Sequence, residues 1–389
     1  MANAESSLVL LHHSFGPYHL ARARALRRTF PGPVHLVQLA DTESLRAWRA
    51  EHEELTIETA ATGVLDQLPP AVVGEGLERL LERLSPGAIA IAGYGDQHMR
   101  RAAVWARRRA RRAVLLSDSQ ACDLPRHVLR ERMKRYWVSR HFDRAFVSGA
   151  SAAAYVESLG IPAHRIWRGY DVVDNQHFAT GAAAARANLA TTRAALQLPE
   201  RFFLYVGRFA PEKNLPRLLE AFAAGGTDLA GWSLILVGGG PLEAPLRAQA
   251  AALGGRVRLV AFQQIERLPS YYALAGALVL PSLSEPWGLV ANEAMAAGLP
   301  VIVSSRCGCA MELVFPGVNG AIVDPGDTGN ITRSLVALAA SDERRRAYGQ
   351  ASRQIVDNFS VETWARALTD CAQAPGDRRA GRPKTRMVS

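Results

Sequence analysis

The chain reads as an α/β protein of two Rossmann-like domains facing one another across a cleft. Three observations carry that reading. Strand and helix signals alternate from Leu8 to Arg168 and again from Phe202 to Ala340, as a doubly wound parallel sheet requires. Between Phe178 and Pro199 the composition turns Ala- and Thr-rich and strand signals stop, which marks a connection. A length of 389 residues with 48% hydrophobic content suits two domains, each with its own core.

The elements follow in order. The apolar run Leu8 to His12 is the first strand, and Tyr18 to Thr29, with Pro17 near its first turn, is a helix. Val34 to Leu39 is a strand and Glu43 to Glu53 a helix, then Gly76 to Leu84 a helix and Ala88 to Gly93 a strand. Gln97 to Arg112 is helical; Ala113 to Ser117 and Arg144 to Ser148 are apolar strands. Ser151 to Leu159 is a helix and Arg165 to Arg168 a last short strand. The second run repeats the theme with Phe202 to Val206, Ser233 to Val237, Val257 to Ala261 and Ala277 to Leu280 as strands. Helices Leu215 to Ala224, Leu242 to Leu253 and Ile265 to Leu274 separate them. Leu289 to Ala297 is a small-residue helix ended by Gly298. Pro300 to Val303, Met311 to Val314 and Gly320 to Val323 follow as strand-like runs, then helices Asn330 to Ala340 and Ser360 to Cys371. The domains are therefore placed at residues 1–180 and 200–357, the connection at 181–199 and a final helix at 358–374. A polar, basic tail at 375–389 is expected to be disordered.

No apolar run approaches a bilayer span. Ser7 to Leu11 is too short for the apolar core of a signal peptide and has no basic residues before it, so a cytoplasmic protein is expected. Four cysteines are too few for a disulfide framework, and Cys307-Gly-Cys309 has no second pair to complete a zinc site. The formal charge of +10 predicts attraction to an anionic partner. Much of it lies in seven arginines between Arg100 and Arg112 and in the tail.

The chemistry concentrates in Ser284-Glu-Pro-Trp-Gly-Leu-Val-Ala-Asn-Glu293, which reads as a strand end, a Gly turn and a helix start. A helix N-terminus presents free N–H groups and a partial positive charge, a natural seat for a pyrophosphate. Glu285 and Glu293 would repel that anion, so they are expected to face hydroxyls, as a ribose and a sugar ring supply. Arg208 and Lys213, after the strand Phe202 to Val206, reach the same anion from the neighbouring strand end. The pieces describe a nucleotide-diphosphate-sugar site.

Val206-Gly-Arg-Phe-Ala-Pro-Glu-Lys213, Val237-Gly-Gly-Gly-Pro241, Leu280 to Gly288, Asn292 to Gly298 and Pro316-Gly-Val-Asn-Gly320 resemble the donor half of retaining glycosyltransferase family 4, which has the GT-B fold. The resemblance runs from about Phe202 to Asp327. It implies a final helix crossing back to brace the first domain. It also implies that Arg208 and Lys213 hold the donor diphosphate, Glu285 the sugar hydroxyls and Glu293 the ribose. Gly207, Gly238, Gly239, Phe262, Gln263, Trp287, Gly288, Leu289 and Val290 would line the donor side. Gln263 stands where the family usually has glycine, which leaves the base open. Arg208, Lys213 and Glu285 are the expected catalytic residues, because charge growing on the diphosphate is theirs to stabilise. No metal or cofactor is expected, since cations and helix dipole take its place and no Asp-x-Asp triplet occurs. A glycosyl-enzyme on Glu285 is the alternative route.

In the first domain, Ser14-Phe-Gly-Pro-Tyr-His19 follows the first strand. Gly16 is expected to approach the diphosphate, with Tyr18 and His19 toward the acceptor; the competing reading is a plain helix entry. Many family members carry His after a middle strand here, whereas this chain has Leu116-Ser-Asp-Ser-Gln120. Asp118 or Ser119 would fill that place, with Asp123, Arg126 and Lys134 serving the acceptor. Along Arg100 to Arg112, Ala102, Ala103, Ala106 and Ala110 share about a 100° sector, with Val104 and Trp105 among the arginines. An anionic membrane surface, with the protein peripheral on the inner face of the plasma membrane, is the expected partner of that helix; a solvated basic face is the alternative.

The reading is thus a retaining, alpha-forming transferase moving sugar from a UDP- or GDP-sugar to an acceptor hydroxyl, on a lipid-linked or cell-surface saccharide or a soluble natural product. An epimerase, a phosphorylase and a non-catalytic nucleotide-sugar or polyanion-binding protein are rivals. Nucleic acid is not an expected partner, because aromatics are not interleaved with the basic run.

Overall fold

The computed structural model describes residues 7–44, 54–123 and 126–374. The first domain runs β1 (Leu8–His12), α1 (Pro17–Thr29), β2 (Val34–Thr42), β3 (Ile57–Val64), α2 (Pro70–Leu84), β4 (Ala88–Ala92) and α3 (Gln97–Arg108). It continues β5 (Arg112–Ser117), α4 (Val128–His141), β6 (Arg144–Val147), α5 (Ala150–Ser158) and β7 (Ile166–Arg168). Two helices follow, α6 (Asn175–Ala187) and α7 (Leu189–Leu196). The second domain runs β8 (Phe202–Val206), α8 (Leu215–Ala224), β9 (Ser233–Val237), α9 (Glu243–Ala251), β10 (Val257–Val260), α10 (Leu268–Leu274), β11 (Ala277–Leu280) and α11 (Leu289–Ala296). After it come β12 (Val301–Ser304), α12 (Ala310–Leu313), β13 (Gly320–Val323), α13 (Thr328–Ala339), α14 (Asp342–Val356) and α15 (Val361–Gln373).

The seven-stranded sheet has the order β3-β2-β1-β4-β5-β6-β7 and the six-stranded sheet β10-β9-β8-β11-β12-β13. Every pairing is parallel. The central strands are wholly buried, β1 and β8 at every residue, because helices cover both faces and leave no polar side to alternate. Each sheet reverses its strand order once, between β1 and β4 and between β8 and β11. Open parallel sheets bind ligands outside the strand ends at that reversal.

Several expectations shift. The helix expected at 43–53 lies, from residue 45 on, outside the described residues, as does the tail 375–389. Strand β3 and helices α4 and α14 were not foreseen, α2 starts at Pro70, and α3 stops at Arg108 because Ala110 adopts φ 54° and Arg112 already joins β5. Residues 310–313 are helical. The segment 181–199 is more than a connection. Phe178, Ala182 and Ala185 of α6 and Leu198 lie in the second domain's core, so that domain begins near Val173.

Helix α15 returns to the first domain. Val361, Trp364, Ala365, Leu368 and Cys371 pack with Leu8, Leu26 and Phe146 on one face of the first sheet. The two chain crossings lie side by side: Asn175 Nδ2 donates to Val356 O at 2.9 Å and to Phe359 O at 3.3 Å.

Candidate active site

Both reversal points open toward each other. From the second domain, the β8 loop carries Arg208 and Lys213, and the β11 loop carries Glu285 and leads into α11. Gly288 permits that entry with φ 101°. Lys213 Nζ donates to Glu285 Oε2 at 2.5 Å, both side chains 15% exposed, and Ser282 Oγ lies 3.4 Å from the same oxygen. The expected phosphate cation and sugar-binding carboxylate are therefore brought together, holding each other. Arg208 points outward, 60% exposed, and pairs with Glu212 at 2.5 Å, so it does not converge with Lys213 as the sequence reading expected.

Glu293 does face hydroxyls, but they are tyrosine hydroxyls. Tyr18 donates to its Oε1 at 2.6 Å and Tyr272 to its Oε2 at 2.7 Å. Glu293 is 0% exposed. Burial raises its carboxyl pKa to about 7, against the pull of the two hydroxyls. Burial and the adjoining Glu293 carboxylate also push the Tyr18 phenol well above its usual value. Tyr18, expected on the acceptor side, thus crosses the cleft from α1 to a donor-side residue 275 positions away.

Other donor-side expectations change for packing reasons. Trp287 is 2% exposed and donates to Asn292 Oδ1 at 2.9 Å, so it is core. Gly238 has φ 152°, and a Cβ there would sit 1.9 Å from Gly207 O. The two loops' approach to one another requires it. A Cβ at Gly239 would meet only Glu243 Oε2, at 3.8 Å. Gln263 turns back on its own loop, donating to Ala261 O at 2.9 Å, and Phe262 is 44% exposed. Leu289 and Val290, at the first turn of α11, are half-buried.

The first domain supplies a cavity of about 620 Å³ at its reversal point. Gly16, Tyr18, His19, Asp118, Ser119, Asp123, Arg126 and Lys134 all line it, together with Leu289 from α11. Gly16 caps α1, its N–H donating to His19 Nδ1 at 3.1 Å, with no atom crowding the position of a Cβ. Asp118 has an open face to the cavity. Even so, the protein packed around its carboxyl raises its pKa, and the charges of Asp123 and Glu285 add to that. Arg126 lies over the Tyr155 ring at 4.3 Å and donates to its hydroxyl at 2.8 Å. Lys134 pairs with Glu131 at 2.8 Å.

Sequence reasoning missed the cavity floor. Arg22 is 3% exposed, donates through Nε and Nη2 to Val172 O at 3.0 and 2.7 Å, and lies 3.5 Å from Asp171 Oδ1. Burial lifts Asp171 to about 7, the Asp118 charge adding to it and Arg22 opposing it. Arg22 sits four residues after Tyr18, on the same helix face, and that spacing was its available signal. His12, at the C-terminal end of β1, stacks on His19 at 4.2 Å. Across the cleft, Gln120 Nε2 donates to Pro286 O at 2.8 Å, and Ala150 N to Glu312 Oε1 at 2.6 Å.

The interfacial face expected on residues 100–112 is not present. Trp105 is 7% exposed and donates to Glu82 Oε1 at 2.7 Å. Arg101 pairs with Glu78 and Arg109 with Glu82, both at 2.6 Å. Acids of α2 thus hold two of the seven arginines. No helix of the described residues is long and apolar enough to cross a membrane.

Comparison with known proteins bears on the donor half first. The model of the family "Glycosyl transferases group 1" matches residues 191–355, the span that carries Lys213, Glu285 and Glu293. The match covers most of the second domain. A D-inositol 3-phosphate glycosyltransferase of Salinispora tropica is 36% identical over 206 residues, 50% of this chain and 42% of that protein. A GDP-mannose-dependent alpha-(1-6)-phosphatidylinositol monomannoside mannosyltransferase of Mycolicibacterium smegmatis is 32% identical over 175 residues, 42% of this chain and 46% of that protein. The chain spans under half the length of both relatives. The likeness to solved structures extends over both domains. The Anabaena protein HepE, crystallised with UDP and glucose, superposes with a TM-score of 0.71 at 19% identity, covering 94% of this chain and 98% of that one. Sucrose-phosphate synthase of Thermosynechococcus elongatus gives 0.70 at 22% identity, covering 93% and 97%. The two-domain arrangement is the GT-B fold.

Proposed function

We propose that the chain is a metal-independent, retaining hexosyltransferase that moves sugar from a UDP- or GDP-sugar to an acceptor hydroxyl held in the first-domain cavity. The observation that carries the reading is the placement of the Lys213–Glu285 pair beside the start of α11, opposite a cavity lined by Gly16, Asp118 and Leu289. A diphosphate arriving at the helix start takes Lys213 as its counter-ion and frees Glu285 for sugar hydroxyls. Arg208 needs only to exchange Glu212 for the same anion, being exposed and free to swing. As the glycosyl bond breaks, negative charge grows on the leaving oxygen, where Lys213 and the helix N–H groups are already oriented. That oxygen is the nearest base for the acceptor proton, so attack comes from the face the diphosphate leaves. Relatives named for UDP complexes and for GDP-mannose support the donor class. The mannosyltransferase named for phosphatidylinositol monomannoside supports a lipid-linked acceptor, and the proposal includes a protein peripheral on the inner membrane face.

The test is a panel of UDP-, GDP- and ADP-sugars with proton NMR of the product's anomeric centre, with and without EDTA. An axial product from an axial donor, unchanged by EDTA, is expected. An inverted product, or loss of activity restored only by Mg²⁺, overturns the proposal. Sugar-nucleotide binding with neither transfer nor hydrolysis supports a non-catalytic sensor instead.

A further inference from the structure

We propose that α4 docks the protein onto an anionic lipid bilayer. Among the described residues, eleven large hydrophobics are exposed, and four of them are on this one helix: Val128 at 74%, Leu129 at 67%, Met133 at 72% and Tyr136 at 68%. Only Val138 of α4 is buried. At 100° per residue, Leu129, Met133 and Tyr136 fall within about 60° of one another, on the side opposite Val138. The helix therefore turns its apolar ridge outward, the reverse of an ordinary surface helix.

Charge decides what covers the ridge. Helix α4 carries Arg130, Arg132, Lys134, Arg135 and Arg140 against Glu131 alone; Arg140 projects within the apolar sector itself and Arg132 flanks it. A protein interface excludes charge from its apolar centre, and two copies of so cationic a face repel. Interfacial helices do the opposite: arginines stay at the phosphate level while leucine, methionine and tyrosine enter the acyl boundary. Neighbouring α3 adds support, since Arg107 donates to Arg140 O at 2.6 Å and holds the helix end.

The placement has a use. A groove of about 760 Å³ beside α4, lined by Leu129, Met133 and Trp137, shares Tyr94, Arg100 and Lys134 with the first-domain cavity. A headgroup in the cavity can keep its chain in the bilayer through that groove. This use rests on the proposed acceptor site; the docking does not.

The experiment is sedimentation of the full chain with vesicles of phosphatidylcholine alone or mixed with phosphatidylglycerol. Wild type is expected to pellet with the anionic vesicles only. A Leu129→Ser/Met133→Ser/Tyr136→Ser variant and an Arg132→Gln/Arg135→Gln/Arg140→Gln variant should each keep the wild-type melting temperature and lose vesicle affinity, the charge variant by about a hundredfold. Donor binding, measured separately, should be unchanged in both. Wild type that ignores anionic vesicles, equal binding to neutral ones, or full binding by both variants overturns the proposal. So does a dimer abolished by the serine variant, which would place a second copy on α4.

Discussion

Replacing Tyr18 with phenylalanine removes one hydroxyl and leaves the ring in place. That hydroxyl donates to Glu293 Oε1 at 2.6 Å, whereas Tyr272, itself 0% exposed, holds Oε2. Tyr18 lines the cleft cavity; if Glu293 takes the donor ribose, as the sequence reading expects, Oε1 is the oxygen it reaches first and the tyrosine holds its place in the free protein. A hydrogen bond to a charged group contributes about 1.5–3 kcal/mol net. Tyr18→Phe forfeits that in the free protein but not in a nucleotide complex where ribose has already displaced the tyrosine. The free protein should melt lower, and UDP or GDP affinity should rise by roughly 10- to 150-fold. Calorimetric titration at pH 8, where Glu293 is ionised, gives the affinity, and a thermal scan of the free protein gives the stability. A lowered melting temperature with unchanged or weakened nucleotide binding would show that Tyr18 does not stand in for ribose.

Glu293 and Asp171 both titrate near 7 in the folded chain. Raised carboxyl pKa values stabilise the fold most at low pH, so stability should fall as pH rises from about 4 through 7. Glu293→Gln should flatten that slope, recovering about 3 kcal/mol by pH 8 while weakening nucleotide binding; urea titrations from pH 5 to 8 measure it. Lys213→Ala should lower kcat by about two to three orders of magnitude; wild-type turnover would remove its assigned role. Trp364→Ala, emptying a side chain 1% exposed between α15 and the first sheet, should cost about 3–5 kcal/mol and lower the first domain's unfolding midpoint.

The parallel strands were legible because strands buried on both faces must be continuous apolar runs, and Leu8–His12, Phe202–Val206 and Ala277–Leu280 are such runs. Strand β3 was not, since Ile57–Val64 is an edge strand, largely half-exposed and rich in Thr and Ala. Helix α4 escaped for the opposite reason: its apolar residues face outward, so no core stripe marks it. Motif spacing brought Glu285, Lys213 and Glu293 to one region, but not the partners they hold. The pairs Lys213–Glu285 and Tyr18–Glu293 lie 72 and 275 positions apart, and such pairing is set by how loops and domains close, which no local pattern encodes.

Because Val361, Trp364 and Leu368 complete one face of the first sheet, the amino-terminal half emerges from the ribosome long before its last structural layer. The intervening domain, whose core draws nothing from α15, has all its parts earlier and is ready to fold sooner. A released chain truncated just after Val356 should therefore present a protease-resistant second domain attached to a cleavable first one.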